Sequence, residues 1–174
     1  LRDSGLLAAV LPELDTADPG AWSELETTLD KLRLPDFPIA LAACGASLAP
    51  EGNLETACQR LKLSNHDRQL VLWLEQHLPQ VILLHQAPWP QAQRLLIEPQ
   101  VSLLVELAAA RSAARQEPQQ WLAFCQQKLA LPADQLNPDP LITGTDLLQE
   151  GILAGPVFRM ILERVRDAQL EGHV

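Results

Sequence analysis

The chain has 174 residues, nearly half of them apolar, and 13 basic against 22 acidic side chains give it a net charge of −9. That length supports one good hydrophobic core or two small ones. The negative charge argues against a protein that grips nucleic acid by bulk charge, and no apolar run is long enough to cross a bilayer.

The opening residues lack the charged-then-apolar pattern of a signal peptide, so a cytoplasmic location is expected. The first residue is Leu1 and the chain opens inside an apparent helix, which points to a longer protein continuing upstream. Aromatic residues are scarce, Tyr is absent, and Leu, Ala and Gln abound. This is the composition of an all-α protein without a sheet, here expected as an elongated multi-helix bundle. The charge deficit is uneven: residues 1–88 carry 6 basic and 12 acidic side chains, residues 89–174 carry 7 and 10. Any contact with RNA must therefore come from local basic clusters.

Taken in order, residues 2–10 read as a helix that stops at Leu11-Pro12. Asp18-Pro19 then caps a second helix carrying Trp22, Leu25, Leu29 and Leu32. Leu34-Pro35-Asp36-Phe37-Pro38 is a breaker. Residues 39–48 are apolar nearly all round, with small side chains at Ala40, Ala42, Ala43, Gly45 and Ala46, so a fully buried helix is expected there. Asn53 can cap a helix to about Leu61. Ser64 followed by Asp67 has capping-box spacing and starts a helix through His77, with Pro79 marking its end or a kink and a further helix over 80–86. Pro88-Trp89-Pro90 is the expected boundary between a body, 1–88, and a tail, 89–174. Beyond it, residues 91–97, 101–116 and 118–131 read as helices, and Leu103, Leu104, Leu107 and Ala108 make an amphipathic stripe. Asn137-Pro138-Asp139-Pro140 separates them from a closing hairpin at 141–172.

That hairpin is the most specific stretch of the sequence. Thr143 and Asp146 have capping-box spacing, Gly151 falls where a left-handed residue would end a short helix, and Gly155-Pro156 starts the next. In that second helix Val157, Phe158, Ile161, Leu162, Val165 and Ala168 recur at helical spacing. Arg159, Glu163, Arg166 and Asp167 take the other side, so one face is expected to pack and one to be wet. Cys44, Cys58 and Cys125 are widely spaced within apolar helical patterns and read as buried reduced thiols, with no metal site among them.

The hairpin pattern resembles the C-terminal tail of bacterial class II tRNA nucleotidyltransferases, the CCA-adding enzymes, and of the related bacterial poly(A) polymerases. The shared elements are T-G-x-D-L at Thr143 to Leu147, G-x-x-x-G-P at Gly151 to Pro156, and R-D-A-Q-L-E-G at Arg166 to Gly172. The opening Leu1-Arg2-Asp3-Ser4-Gly5-Leu6-Leu7 is similar to the helix that leaves the neck of that family. The block Leu61-Lys62-Leu63-Ser64-Asn65 with Val71-Leu72-Trp73-Leu74 is similar to its R-L-x-L-S-N…W-L element. Leu41-Ala42-Ala43-Cys44-Gly45-Ala46-Ser47-Leu48 resembles the segment that ends in His-Asp in members with an active HD domain. Ala46 and Ser47 stand where the metal-binding pair would be, which implies a degenerate HD-like body without hydrolase activity. His66-Asp67 is a poor substitute, because Asp67 has a capping role and His77, His85 and His173 do not complete a ligand set.

The resemblance implies a body and tail that hold the tRNA elbow by shape and backbone contacts for 3′-end nucleotide addition. The head and neck that would supply the nucleotidyltransferase chemistry, with Mg and CTP or ATP, have no motif in these residues. No cofactor and no catalytic residue is therefore expected in the chain itself, and neither DNA nor a membrane is an expected partner. The candidate RNA contacts are Arg60, Lys62 and Arg68 around the Ser64 turn, Arg111 and Arg115 one helical turn apart, and Gly155, Arg159 and Arg166 in the hairpin. Each group also reads as ordinary solvated helix charge or, at Gly155, as a folding turn. Two rivals stand beside this reading: a helical protein-interaction module without RNA binding, and a divergent HD-type phosphohydrolase domain that has lost its metal site.

Overall fold

Apolar residues on every side of one helix must be covered by several neighbours at once, and this requirement sets the architecture. The computed structural model describes residues 5–15, 19–33, 36–49 and 54–174. Every regular element among them is helical. In chain order these are α1 (Leu6–Val10), α2 (Pro19–Lys31), α3 (Phe37–Leu48), α4 (Glu55–Arg60), α5 (Asn65–Val81) and α6 (Trp89–Leu96). They continue as α7 (Val101–Ala114), α8 (Gln120–Leu129), α9 (Ala133–Leu136), α10 (Gly144–Gln149) and α11 (Pro156–Leu170), with 3-10 turns at Pro12–Leu14 and Leu84–Gln86. The all-α bundle expected from composition is the fold.

Helix α3 is the hub. Asp36 caps it by accepting from the Ile39 amide at 3.2 Å, and Pro38 sits in its first turn, where a missing N–H costs nothing. Ile39, Leu41, Ala42, Ala43 and Leu48 are all buried. Helices α2, α5 and α7 all pack on α3, and α7 packs on both α2 and α5. Its small residues let these neighbours come close: a Cβ built on Gly45 would lie 2.6 Å from Leu54 Cδ1. Leu54 in turn joins Leu41, Ala57, Cys58 and Val71 in a second cluster that fixes α4 against α5.

Several expectations shift by a turn or more. The helix opened by Ser64, whose hydroxyl accepts from the Asp67 amide at 3.0 Å, does not end at Pro79 but continues to Val81. Proline removes one hydrogen bond and crowds one carbonyl there, and burial of Leu78 and Val81 on either side of it holds the helix together. Only a 3-10 turn, not a helix, follows within 80–86. Helix α4 is preceded at its cap position by Leu54, without a side-chain cap. Asn53, expected there, lies outside the described residues, as do Asp18 and the first four residues.

The bend at Pro88-Trp89-Pro90 does not interrupt packing. One buried cluster runs from Leu7 through Leu78 and Val81 to Leu104, Leu107, Trp121 and Cys125, and α7 lies directly on α2 and α5. Pro88 to Pro90 instead starts α6, with proline in its first turn. The packing thins later, at Asn137-Pro138-Asp139-Pro140. Beyond it only Leu147 is buried, and α11 buries no residue. The face of α11 expected to pack is half-covered at Phe158, Ile161, Leu162, Val165 and Ala168, whereas Val157 is 58% exposed.

The cysteines are free, Cys58 and Cys125 buried and Cys44 half-buried. Burial pushes the Cys44 and Cys125 thiols up to about 11, so neither carries thiolate near neutral pH.

Gly45→Ala tests the hub. Ala gains about 1 kcal/mol in helix propensity over Gly, but the methyl group must displace the buried Leu54, a cost of about 1–3 kcal/mol. Urea unfolding should show net destabilisation; a variant more stable than the parent would remove the close α3–Leu54 approach as a constraint.

Candidate nucleic-acid interface

The candidate basic residues form three groups, and among the described residues no hydrogen bond or ion pair links one group to another. Around the Ser64 turn, the Arg60 guanidinium donates two bonds to Glu13, at 2.9 and 2.7 Å, and one to the Val10 carbonyl at 3.3 Å. The bidentate hydrogen bonding lowers the Glu13 carboxyl below its ordinary value and raises Arg60. Arg68 donates to Glu55 at 3.0 Å. Lys62 differs from both. It is exposed and its backbone is left-handed, with φ of 54°, because it ends α4 with the Leu63 amide bonded back to the Cys58 carbonyl.

On α7, Arg111 and Arg115 do not face solvent as a free pair. Both bind Glu24 of α2, Arg111 Nε to Oε1 at 3.2 Å and Arg115 Nε to Oε2 at 2.9 Å. Arg111 also donates to the Ala46 carbonyl at 2.8 Å, and the Ser47 hydroxyl donates to Glu24 Oε1 at 3.1 Å. The Ala46-Ser47 dipeptide therefore lies at a three-helix junction held by one carboxylate and two guanidinium groups. Burial, and then the neighbouring Arg115 charge, lowers the Arg111 pKa from its ordinary value. This cluster ties α2, α3 and α7 together and has little left to offer a phosphate.

The hairpin is built as its turn residues require. Asp146 accepts from the Thr143 amide and hydroxyl, each at 2.7 Å, completing the capping box at the start of α10. Gly151 has φ of 75°, and the Ile152 amide reaches the Leu147 carbonyl at 2.9 Å to close the helix end. Gly155 has extended backbone and precedes Pro156 at the start of α11, with nothing within 4 Å of where a Cβ would stand. Arg159 is 83% exposed and, among the described residues, pairs only with Glu163, four residues on, at 2.8 Å. An exposed pair of this spacing is readily exchanged for another anion.

Arg166 has a different place. Its guanidinium donates to the Pro138 carbonyl at 2.6 Å, to Asn137 Oδ1 at 2.7 Å and to Gln169 at 2.9 Å. Together with Arg94 bonded to Asp167 at 2.6 Å and Gln93 bonded to Leu136 O and Asn137, it straps α11 to α6. Arg166 is thus a fastener of the hairpin rather than an outward contact.

Sequence spacing did not single out Arg164. It is exposed on α11 and makes no ion pair among the described residues. It shares a helical face with Val157 and Met160, and the exposure of those two apolar residues is what marks that face as outward. Lys31 likewise has no carboxylate partner among the described residues, while Lys128 lies over the Trp89 ring at 4.4 Å. Among the described residues no group of three His, Cys, Asp or Glu side chains is arranged to hold a metal ion.

Arg111→Ala should leave Glu24 half-buried with one guanidinium fewer and destabilise the protein by about 2–3 kcal/mol in urea titrations; a smaller loss than for an exposed arginine such as Arg164→Ala would contradict the junction's structural role. The Thr143 hydrogen bonds depress the Asp146 pKa below its ordinary 3.8. A carboxyl depressed on folding contributes stability that is present above that value and lost as pH falls through the lower folded pKa. Amide protection at the start of α10 should therefore drop on acidification below about pH 3.8, and Asp146→Asn should abolish that acid step.

Neither a protein-family model, nor a curated protein, nor a solved structure matches the chain.

Proposed function

We propose that this chain is a tRNA-binding and positioning region, the body and tail of a CCA-adding enzyme or poly(A) polymerase relative, which holds the tRNA elbow while a head domain outside these residues extends the 3′ end. The observation that carries the reading is the hairpin. The residues that resemble the family's T-G-x-D-L and G-x-x-x-G-P elements start two helices, α10 with a capping box and α11 with Gly155-Pro156, and the hairpin is fastened to the bundle through Arg166, Arg94 and Gln93. Rigid fastening is what a positioning surface needs, since placement of the reacting end depends on it.

The start of α11, which has no side-chain cap among the described residues, brings an open glycine and the exposed Arg159 together on one element, with Arg164 further along. Backbone amides and isolated arginines suit phosphates recognised by shape. A chain with net charge −9 would bind weakly and lose affinity steeply with salt.

One observation favours a second reading, a helical protein-interaction module. Leu153 is 85% exposed, and Leu148, Val157 and Met160 are each more than half exposed on the same hairpin. Apolar exposure of this kind serves protein contacts more than phosphate contacts.

Full-length tRNA should bind with salt-sensitive affinity and outcompete a hairpin RNA lacking the elbow. Replacing both Arg159 and Arg164 with Ala should weaken that binding and reduce the salt slope by about 1 to 2 while leaving the thermal unfolding curve in place. Equal affinity for the two RNAs, or no response to the double substitution, would sink the positioning reading in favour of the protein-interaction module.

A further inference from the structure

A second feature lies away from the hairpin, in a groove of about 580 Å³ between α5 and the start of α7. Its volume falls within the roughly 300–1,000 Å³ typical of small-molecule sites. Leu70, Leu103 and the Trp73 ring supply apolar surface, and His66, Gln69 and Gln100 supply the polar atoms. No Asp, Glu, Lys or Arg lines it.

The indole is fixed before anything binds. Trp73 stacks on His77 with ring centroids 4.5 Å apart and planes inclined by 27°. The His77 Nδ1 lies 2.7 Å from the Trp73 carbonyl, which holds the imidazole in place. His77 does not line the groove, so it backs the indole from outside it. Among the described residues neither the Gln69 nor the Gln100 carboxamide has a hydrogen-bond partner, and each offers a donor and an acceptor side by side.

These features select a class of ligand. The one ionisable group in the lining, His66, already lies 3.4 Å from the Asp67 carboxylate, so no unengaged charge is left for a phosphate or a carboxylate, and two free carboxamides are wasted on an aliphatic chain. A planar, uncharged ring with adjacent donors and acceptors on its edge satisfies both the amides and the indole. We infer that the groove between α5 and α7 binds an unstacked nucleobase, with Trp73 as the stacking platform and Gln69 and Gln100 reading the edge of the base. Carboxamides pair bidentately with adenine, so adenine is the base expected to fit best. This deepens the RNA reading, on which it rests only for the source of the base.

The test uses the whole chain labelled with 15N and titrated with adenosine monophosphate or with ribose 5-phosphate. Adenosine monophosphate should shift the Trp73 indole N–H and the Gln69 and Gln100 side-chain amides, whereas ribose 5-phosphate should leave them still. Changing both Gln69→Ala and Gln100→Ala should weaken the effect at least about fivefold, and Trp73→Leu at least about tenfold. Trp73 is half-buried, so if Trp73→Leu fails to fold, the double glutamine variant decides alone. Equal responses to the two ligands, or unchanged binding in the glutamine variant, would overturn the proposal. Salt-sensitive tRNA binding without any response to adenosine monophosphate would overturn the groove alone. A response to adenosine monophosphate without tRNA binding would keep the groove and remove the positioning reading.

Discussion

The structure depends on the burial of α3. Eight of its twelve residues are buried, including Gly45 and Ser47, and no single neighbour can cover a helix that is apolar on all sides. Helices α2, α5 and α7 must therefore meet around it, and the segments between them must be long enough to bring them there. Close packing makes the arrangement intolerant of added volume, which is why a glycine sits where Leu54 presses in. Everything else is hung on this frame: α4 through its own small cluster, α8 through the 3-10 turn at Leu84–Gln86, and the hairpin through α6.

Electrostatics supports the frame more than it serves a partner. In a chain with nine more acidic than basic side chains, most arginines are already engaged. Arg60, Arg68, Arg94, Arg111 and Arg115 each bind a carboxylate on another helix or segment, so they report on folding. Among the described residues, Lys31, Lys62 and Arg164 lie at the periphery without a carboxylate partner, and Arg159 is held by a neighbour on its own helix. An acidic protein that binds nucleic acid in this way would rely on a few well-placed groups and on shape, and its affinity would be correspondingly sensitive to salt.

The hairpin and the bundle are stabilised differently. The bundle holds a continuous apolar core; the hairpin has only Leu147 buried and is fastened by hydrogen bonds from Arg166, Gln169, Gln93 and Arg94. Polar fastening fixes direction without a large core, and it leaves Leu153, Val157 and Met160 facing outward.

The sequence by itself determined the helical class and most of the helix starts and stops. Capping and turn chemistry act over three to six residues: Ser64 with Asp67, Thr143 with Asp146, and Gly151 are each placed as their spacing requires. The all-round apolar pattern of α3 was likewise enough to mark it as core. Tertiary structure decided the rest, because it turns on distant partners. Pro79 stays inside a helix because Leu78 and Val81 are buried beside it, and Pro88-Trp89-Pro90 bends a chain whose core carries on across the bend. Helical spacing alone made Arg111 and Arg115 a pair one turn apart, but only the approach of Glu24 from α2 turned that pair into a junction. Arg159 and Arg166 looked equivalent in sequence; one faces solvent and the other is bound to the Pro138 carbonyl, a difference set by how α11 lies on α6.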